Sequence, residues 1–496
     1  MASRKSTRSV RLDFSAFFNI VNGGVRGSEK TNHSVDPATG EALPQLPIAT
    51  KEDVDEAVNA AKVAFSSWSR TPVTERKAAL AAFADSFESY TQDFAIMMTK
   101  ESGKPLRFAV EEAECGPYWV RGMNKLELLD EIISDTPERR VTVRYTPLGV
   151  VAAIIPWNYP IQLSFVKLAA ALSTGCTIIL KPSPFAPYCT LKIAELAQQF
   201  FPPGVVQGLH GDEDLGPVLT AHPKINKITF TGSIMTGRKI LESASRTLKR
   251  VTLELGGNDA AVICPDVDIP EVAQRIADFA FANSGQVCVA VKRVYIHESI
   301  YSEFRAALVQ ATKKLRVGNG FEQGVDLGPI QNELQYRRVC GFFEEMQKQG
   351  QRIAVGGGGH SKSSSSGLFC EPTIIDNPGN DARIVLEEPF GKVPAPDLSC
   401  PILPIMPWSS EEEVIRLANS TEMGLGASVW TNDLDQGDRI GRQLEAGSVW
   451  VNTHMDAAPE IPFGGVKQSG SGVEGGVEGL KAFCNIQTLS VPKEVM

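Results

Sequence analysis

Apolar side chains recur at helical spacing between residues 50 and 101. In "TKEDVDEAVNAAKVAFSSW" and "VTERKAALAAFADSFESYTQDFAIMMTKESG" they return every three or four positions, which predicts amphipathic helices. Thr50 and Thr74 are the predicted N-caps, because a threonine hydroxyl can accept a free amide N–H of the first turn. The polar residues 1 to about 30 show no such period, so we expect them to be loosely held.

Two kinds of strand follow. Val141, Val143 and Tyr145 alternate with polar neighbours, which predicts an exposed strand in need of a partner. Farther on, short apolar runs are separated by helical ones; the runs are "GVVAAIIPWN", "CTIILKPS", "KINKITFTGS", "VTLELGG" and "AAVICPD". Strands that alternate with helices predict βαβ units and a mostly parallel sheet.

A second α/β region is predicted from about residue 257. There "PEVAQRIADFAFANSGQ" predicts a helix that ends near Ser284, and "KRVYIH" predicts a strand. The low-complexity stretch 356–367 is expected to be a surface hairpin loop.

Composition narrows the class of protein. The 496 residues are 43% hydrophobic and 22% charged, as in ordinary globular proteins. The formal charge of −9 argues against nucleic acid as the main partner, because phosphate binding needs a concentrated basic surface. No apolar run could span a membrane, and nine scattered cysteines without a CxxC pattern suit a reducing cytoplasm. The six histidines form no cluster, so no metal site is predicted.

Three polar side chains stand at turns and suit chemistry at a carbonyl carbon. In "NSGQVCVA", Cys288 is a candidate nucleophile, although a buried cysteine is usually a small hydrophobe. Glu254 precedes two glycines that leave its carboxylate available as a base, or as one half of a salt bridge. Between the prolines of "PWNYP", Asn158 is either a rigid amide donor for an oxyanion or a residue that stabilises the turn.

Two further stretches suit an anion. "KPS" (Lys181 to Ser183) and "FTGSIMTG" each follow a predicted strand. A strand end at Gly232, followed by Ser233 and a helix start, presents backbone N–H groups to a phosphate, and a nearby lysine suits ribose hydroxyls or phosphate. The pattern is neither the GxGxxG fingerprint nor a P-loop.

Taken together, "PWNYP", "KPS", "FTGS", "LELGGN", "GQVC", "EEPFG" and "PFGGVKQSGSG" resemble the NAD(P)-dependent aldehyde dehydrogenase family in order and spacing, from about residue 17 to 492. The resemblance implies an α/β fold with a Rossmann-like cofactor-binding domain, an α/β catalytic domain and a small β oligomerisation element. These are assigned to residues 1–128 and 148–256, 257–470, and 129–147 with 471–496. It also implies a homodimer or homotetramer. The alternating pattern of "NIQTLSV" near the end predicts a strand that completes a sheet with another subunit.

The resemblance also implies a mechanism. Cys288 attacks the aldehyde, Asn158 and the backbone N–H of Cys288 hold the oxyanion, and water activated by Glu254 hydrolyses the thioester. For the cofactor it implies roles for Lys181 and Ser183 near the adenosine ribose, Gly232 and Ser233 at the pyrophosphate, Trp157 along the cleft, and Glu388 and Phe390 at the nicotinamide end.

The substrate channel is expected to be apolar. The residues predicted to line it are Tyr159, Leu163, Val166, Val287, Val289 and Phe463. They suit a hydrophobic aliphatic or aromatic aldehyde better than a charged semialdehyde, for which an arginine clamp would be expected.

Two departures from the family pattern stand out. Pro184 replaces the glutamate that many NAD-using members carry, which leaves NAD and NADP both open. "KVPAPDLSC" (Lys392 to Cys400) interrupts the run after "EEPFG", and we expect it to impair positioning of the nicotinamide. Two alternatives therefore stay open: a catalytically impaired member that acts as a binding or structural protein, and a CoA-acylating enzyme, against which Glu254 argues.

Overall fold

The computed structural model describes residues 11–357, 367–388 and 401–493. Most of the loop expected at 356–367, Phe390 and the insertion at 392–400 lie outside the described residues. In the described ranges, no helix combines the length and the apolar character needed to cross a bilayer.

The N-terminal part combines short strands with four long helices. Its elements are β1 (Asn19–Val21), β2 (Gly24–Arg26), β3 (Thr31–Asn32), β4 (Leu46–Pro47), α1 (Lys51–Trp68), α2 (Val73–Glu88), α3 (Thr91–Ser102) and α4 (Leu106–Met123). Thr50 is confirmed as an N-cap: its side chain accepts the Asp53 N–H, and the Asp53 side chain accepts the Thr50 N–H. Thr74 as an N-cap is wrong, because Pro72 fixes φ at −50° and the helix already begins at Val73.

The next part alternates strands and helices after an initial hairpin. Its elements are β5 (Glu131–Asp135), β6 (Arg139–Pro147), β7 (Val150–Ile154), α5 (Pro160–Thr174), β8 (Thr177–Lys181), α6 (Tyr188–Ala197), β9 (Val206–Gly208), α7 (Leu215–Ala221), β10 (Lys227–Thr231), α8 (Ile234–Ser245) and β11 (Arg250–Glu254). Strands β7 to β11 are parallel and lie in the order β9-β8-β7-β10-β11, which confirms the predicted parallel sheet.

The expectation that residues up to about 30 are loosely held is wrong for the described residues from 11 onward. Strand β1 pairs antiparallel with β2 and meets β9 where Ile20 lies opposite Gly208. Phe17 and Ile20 are buried, at 3% and 0% exposure. The segment therefore extends the first sheet, because a neighbouring strand distant in sequence covers its few apolar side chains.

A second sheet follows, built from later residues. Its part of the chain contains β12 (Asp259–Ile263), α9 (Ile269–Phe281), β13 (Val291–His297), α10 (Tyr301–Lys313), α11 (Glu333–Lys348), β14 (Ile353–Val355), β15 (Thr373–Asp376), α12 (Arg383–Leu386), β16 (Ile402–Trp408), α13 (Glu411–Ala418), β17 (Met423–Gly424), β18 (Gly426–Trp430), α14 (Leu434–Gly441) and β19 (Ser448–Val451). Among the described strands the order is β14-β15-β16-β13-β12-β18-β19, with β14 alone antiparallel to its neighbour. The α/β fold class is confirmed.

The C-terminal part returns to the earlier strands. It contains β20 (Val466–Lys467), β21 (Gly470–Ser471), α15 (Gly476–Lys481) and β22 (Cys484–Pro492). Strand β21 adds to the first sheet beside β11, and β22 pairs along its whole length with β6 of the same chain, in the order β22-β6-β5. One edge of β22 is thus occupied within the chain. The domain boundaries at residues 128, 148, 256 and 470 stay a prediction.

Candidate active site

The site lies where the first sheet changes its direction of winding. The chain passes from β7 to β8 and β9 on one side, and then crosses to β10 and β11 on the other. In such open parallel sheets, ligands bind in the crevice outside the carboxyl ends of the strands at this switch point. Lys181 and Glu254 are the last residues of β8 and β11, and Asn158 and Ser233 lie just after β7 and β10.

A cleft of about 860 Å³ opens at these strand ends, and we call it the strand-end cleft. It brings together most of the predicted cofactor residues; those in its lining are Trp157, Lys181, Ser183, Gly232, Ser233 and Glu388, and Pro184 lies beside them. Sequence reasoning missed the basic pair Arg238 and Lys239, which also line it. Their position one turn into the helix after the glycine turn was the signal that could have revealed them.

The N-terminus of α8 forms one wall of the strand-end cleft. Ser233 is its N-cap and accepts the Thr236 N–H at 3.4 Å. The free N–H groups and the dipole of a helix N-terminus attract anions. A Cβ at Gly232 would lie 2.5 Å from the Phe230 ring, so the turn requires glycine there. Lys181 adds a positive charge to the same cleft, and burial lowers the pKa of its ammonium group to about 8.

A second cavity of about 170 Å³ is also lined by Cys288, and we call it the apolar pocket. All the residues predicted for the substrate channel line it, namely Tyr159, Leu163, Val166, Val287, Val289 and Phe463. Sequence reasoning missed six more: Trp119, Gln162, Trp450, Met455, Ala457 and Glu474. Trp119 lies on α4, where its position in the helical pattern indicates an ordinary core residue. Trp450 lies near the end of β19, and an aromatic residue at a strand end is a signal that could have identified it.

Three side chains line both cavities: Asn158, Glu254 and Cys288. They are the three that sequence reasoning selected for chemistry, and they come from three different segments of the chain. A thiol, a carboxylate and an amide at one junction can supply a nucleophile, a proton acceptor and an oxyanion donor.

Glu254 ends β11 and is 3% exposed. Neither of its carboxylate oxygens has a hydrogen-bond partner in the described part of the chain, so the alternative of a strand-end salt bridge finds no support there. Burial raises the pKa of Glu254 to about 7, against the opposing influence of the Cys288 thiol. A carboxylate with this pKa exchanges protons readily near neutral pH.

Cys288 follows a tight turn. The predicted helix ends at Phe281 instead of near Ser284, because Asn283, Ser284 and Gly285 all have positive φ, at 48°, 59° and 74°. Distant contacts hold this strained turn: Ser284 Oγ donates to the Gly328 carbonyl at 2.8 Å. These partners are far away in sequence, which is why the helical pattern alone gave the wrong end.

Burial and the neighbouring Glu254 carboxylate raise the pKa of the Cys288 thiol well above its ordinary value, and Lys292 opposes them. The thiol therefore holds its proton at rest. It becomes a nucleophile only when that proton is removed.

Asn158 is held from both ends. Its side-chain Nδ2 donates to the Gln286 carbonyl at 3.0 Å, and its own carbonyl accepts from Lys104 Nζ at 3.1 Å. Lys104 forms a buried ion pair with Glu112, which also accepts the Ile161 N–H at 3.0 Å in the first turn of α5. An amide has two N–H donors, so one remains for a ligand.

Comparisons with known proteins agree with this geometry. A model of the aldehyde dehydrogenase family matches residues 25–489. The chain is 41% identical to the aldehyde dehydrogenase LUC3 of a Fusarium species, over 97% of this chain and 100% of that protein. It is 37% identical to phenylacetaldehyde dehydrogenase of Pseudomonas fluorescens, over 94% of this chain and 93% of that one.

A solved structure is similar along nearly the whole chain. The betaine aldehyde dehydrogenase of Staphylococcus aureus in complex with NAD+ superposes with a TM-score of 0.92 at 30% identity, and the match covers 97% of this chain and 96% of that one.

Proposed function

Since the chain belongs to the aldehyde dehydrogenase family, we propose that it oxidises a hydrophobic aldehyde, aliphatic or aromatic, to the carboxylic acid through a thioester on Cys288. The observation that carries the proposal is the junction: Asn158, Glu254 and Cys288 line both the strand-end cleft and the apolar pocket. An aldehyde in the pocket and a cofactor in the cleft would meet at these three side chains.

In the first half-reaction, Cys288 Sγ bonds to the aldehyde carbon. Its thiol proton is released to solvent, so Glu254, with a pKa of about 7, stays available as the base of the second half-reaction. The free N–H of the Asn158 amide and the backbone N–H of Cys288 donate to the oxygen as its negative charge develops. Removal of one such donor typically costs about 10²- to 10³-fold in rate.

In the second half-reaction, water attacks the thioester carbon while Glu254 accepts the water proton. The carbon–sulfur bond breaks, the acid leaves, and Cys288 is restored. Release to water distinguishes this scheme from transfer of the acyl group to coenzyme A, and a carboxylate at the junction of the two cavities favours water.

The strand-end cleft fits a nicotinamide dinucleotide, NAD or NADP. Lys181 and Ser183 would hold the adenosine ribose, Gly232 and Ser233 at the α8 N-terminus the pyrophosphate, Trp157 would line the cleft, and Glu388 would hold the nicotinamide ribose. When bound, this cofactor supplies the acceptor for the hydride of the aldehyde carbon. The Staphylococcus aureus relative binds NAD+, whereas Pro184 in this chain places no carboxylate against a 2′-phosphate.

The apolar pocket supports a hydrophobic substrate. Its aromatic lining includes Trp119, Tyr159, Trp450 and Phe463. The charged residues among its described lining are both acidic, Glu254 and Glu474, so a substrate carboxylate would find no cation there. The similarity to a phenylacetaldehyde dehydrogenase points in the same direction.

The test is a substrate panel with purified enzyme. Phenylacetaldehyde, hexanal, succinate semialdehyde and betaine aldehyde are each assayed with NAD and with NADP, with and without coenzyme A, by absorbance of the reduced cofactor. We expect kcat/KM for the first two to exceed that for succinate semialdehyde by about 10-fold or more, as one lost polar contact allows, and no effect of coenzyme A. Preference for the semialdehyde would contradict the substrate class, and absence of turnover with every aldehyde would contradict the activity.

We also propose that the chain forms a homodimer or homotetramer through the sheet of β5, β6 and β22. Ile132, Ile133 and Ile486 on this sheet are 59%, 61% and 69% exposed. Exposed apolar side chains of this kind mark contact surfaces. Light scattering of the wild type and of Ile133→Asp tests the proposal, and a monomeric wild type would overturn it.

A further inference from the structure

Lys292 is a buried lysine close to the candidate nucleophile. It lies on β13, four residues after Cys288, and its side chain is 4% exposed. A buried ammonium group is costly unless it is paired. Its Nζ donates to the Cys288 carbonyl and lies 3.2 Å from Oε1 of Glu388. One cation thus contacts both the backbone of Cys288 and the carboxylate proposed for the nicotinamide ribose.

Glu388 in turn contacts the turn that follows Glu254. The Gly257 N–H donates to Glu388 Oε1 at 3.2 Å. A Cβ on Gly256 would lie 1.9 Å from Glu388 Oε2, so the carboxylate packs directly on this turn. Lys292 and Glu388 together therefore join the loop of Cys288 to the turn after Glu254.

Other charged and titratable groups surround Lys292. Asp259 is 1% exposed, and its two carboxylate oxygens have no hydrogen-bond partner among the described residues. Burial raises the pKa of Asp259 to about 7, and Lys292 opposes this effect. Burial lowers the pKa of His454 to about 3, so this imidazole is neutral, and it contacts the Val289 carbonyl at 2.8 Å.

The guanidinium of the adjacent Arg293 is engaged elsewhere, with the carbonyls of Asn258 and Ala418 at 2.9 Å. Lys292 is therefore a cation that contacts both the Cys288 carbonyl and the Glu388 carboxylate, and its charge also acts on Asp259.

We propose that Lys292 is a positioning residue: its ammonium group holds the Cys288 backbone and the Glu388 carboxylate in one arrangement and supplies the positive charge that favours the thiolate. This inference rests on the proposed function only for the roles of Cys288 as the nucleophile and of Glu388 at the nicotinamide ribose. Its test measures the thiol itself, without aldehyde or cofactor.

The experiment measures alkylation of Cys288 by iodoacetamide as a function of pH in Lys292→Met. Mass spectrometry of the digested protein isolates Cys288 from the other cysteines. We expect the alkylation profile to move to higher pH by about one unit, which is a tenfold lower rate at pH 8. Titration of NAD by tryptophan fluorescence should also show weaker binding, because the ion pair that helps to position Glu388 is lost.

The matched control is Lys192→Met. This lysine is 1% exposed and also pairs with a glutamate, Glu195, but it lies on α6. Its loss removes an equally buried ammonium group, so it should leave the alkylation profile of Cys288 unchanged. A shift as large as that of Lys292→Met would assign the effect to general destabilisation and overturn the proposal.

Glu388→Gln keeps the proposal falsifiable if Lys292→Met does not fold. Removal of this carboxylate leaves Lys292 in place and takes a negative charge away from the thiol, so the profile should move to lower pH. An unchanged profile in this variant, or in a folded Lys292→Met, overturns the proposal. Failure of the proposed function would look different, because Cys288→Ala would then retain aldehyde turnover.

Discussion

The strand-end cleft and the apolar pocket share Asn158, Glu254 and Cys288 but differ in what forms their other walls. The cleft is built mainly from strand ends and the N-terminus of one helix, positions that the topology of the sheet dictates. The pocket gathers side chains from α4, α5, the Cys288 loop and the segment around residues 450 to 474. The comparison teaches that the fold fixes the place of the proposed cofactor site, whereas side chains from scattered segments form the proposed substrate site.

The largest effect is expected at Cys288, which lines both cavities. Cys288→Ala should lower kcat/KM by at least about 10³-fold, because no other group can form the thioester. Binding of NAD should change less than about twofold, since the cleft keeps its other walls. Steady-state kinetics and a fluorescence titration measure these two quantities. Cys340→Ala, a half-buried cysteine on α11, is the control and should keep wild-type turnover.

Glu254→Gln should separate the two half-reactions. A first burst of reduced cofactor is expected, followed by hydrolysis about 10²-fold slower or more, because no base activates water. Rapid quench and mass spectrometry should detect the acyl-enzyme. If turnover is slow and no acyl-enzyme accumulates, Glu254 acts before thioester formation.

The pH dependence of thioester hydrolysis in the wild type also tests the role of Glu254 as the base. The base must be ionised, and its pKa is about 7, so hydrolysis should rise as pH increases through 7 and fall about tenfold per unit below it. In Glu254→Gln this inflection should disappear. An inflection that persists would assign it to another group.

A change confined to the apolar pocket should spare the cleft. Phe463→Ala should raise KM for phenylacetaldehyde about tenfold, the effect of roughly 1.4 kcal/mol of lost apolar contact, with little change in the dissociation constant of NAD. Phe321→Ala, at a ring that is 44% exposed and outside both linings, is the control. Equal losses for NAD and aldehyde would show that the two cavities are not separable.

The smallest effect is expected in the cleft. Pro184→Glu should shift the ratio of kcat/KM for NAD over NADP upward by about threefold, since a carboxylate gains hydrogen bonds from ribose hydroxyls and repels a 2′-phosphate. Pro184→Gln separates the charge from the loss of proline and should shift the ratio less. An unchanged ratio in Pro184→Glu would assign discrimination to other residues, such as Arg238 and Lys239 in the same lining.

Much of the site could be predicted because strand ends are readable in the sequence. Lys181 and Glu254 each end an apolar run, and parallel pairing brings the ends of such runs to one edge of the sheet. The ends of helices and the strands at sheet edges were harder to predict from the sequence. The turn at Asn283 and Ser284 depends on contacts with residues such as Gly328, and β1 is buried only because β9 lies beside it. Trp119 was missed because its helix pattern does not show which cavity the side chain reaches.

Strand β21 completes the first sheet only after the residues of the second sheet have been synthesised. It pairs with the end of β11, Gly470 opposite Glu254, although the whole second sheet is encoded between them. A growing chain emerges from the ribosome N-terminus first. The edge of β11 that pairs with β21 therefore stays unpaired until about two hundred further residues have been synthesised. Open edges are where chains associate wrongly. A chain that stops before residue 470 would contain all three reactive side chains and still hold its candidate base on an unprotected strand.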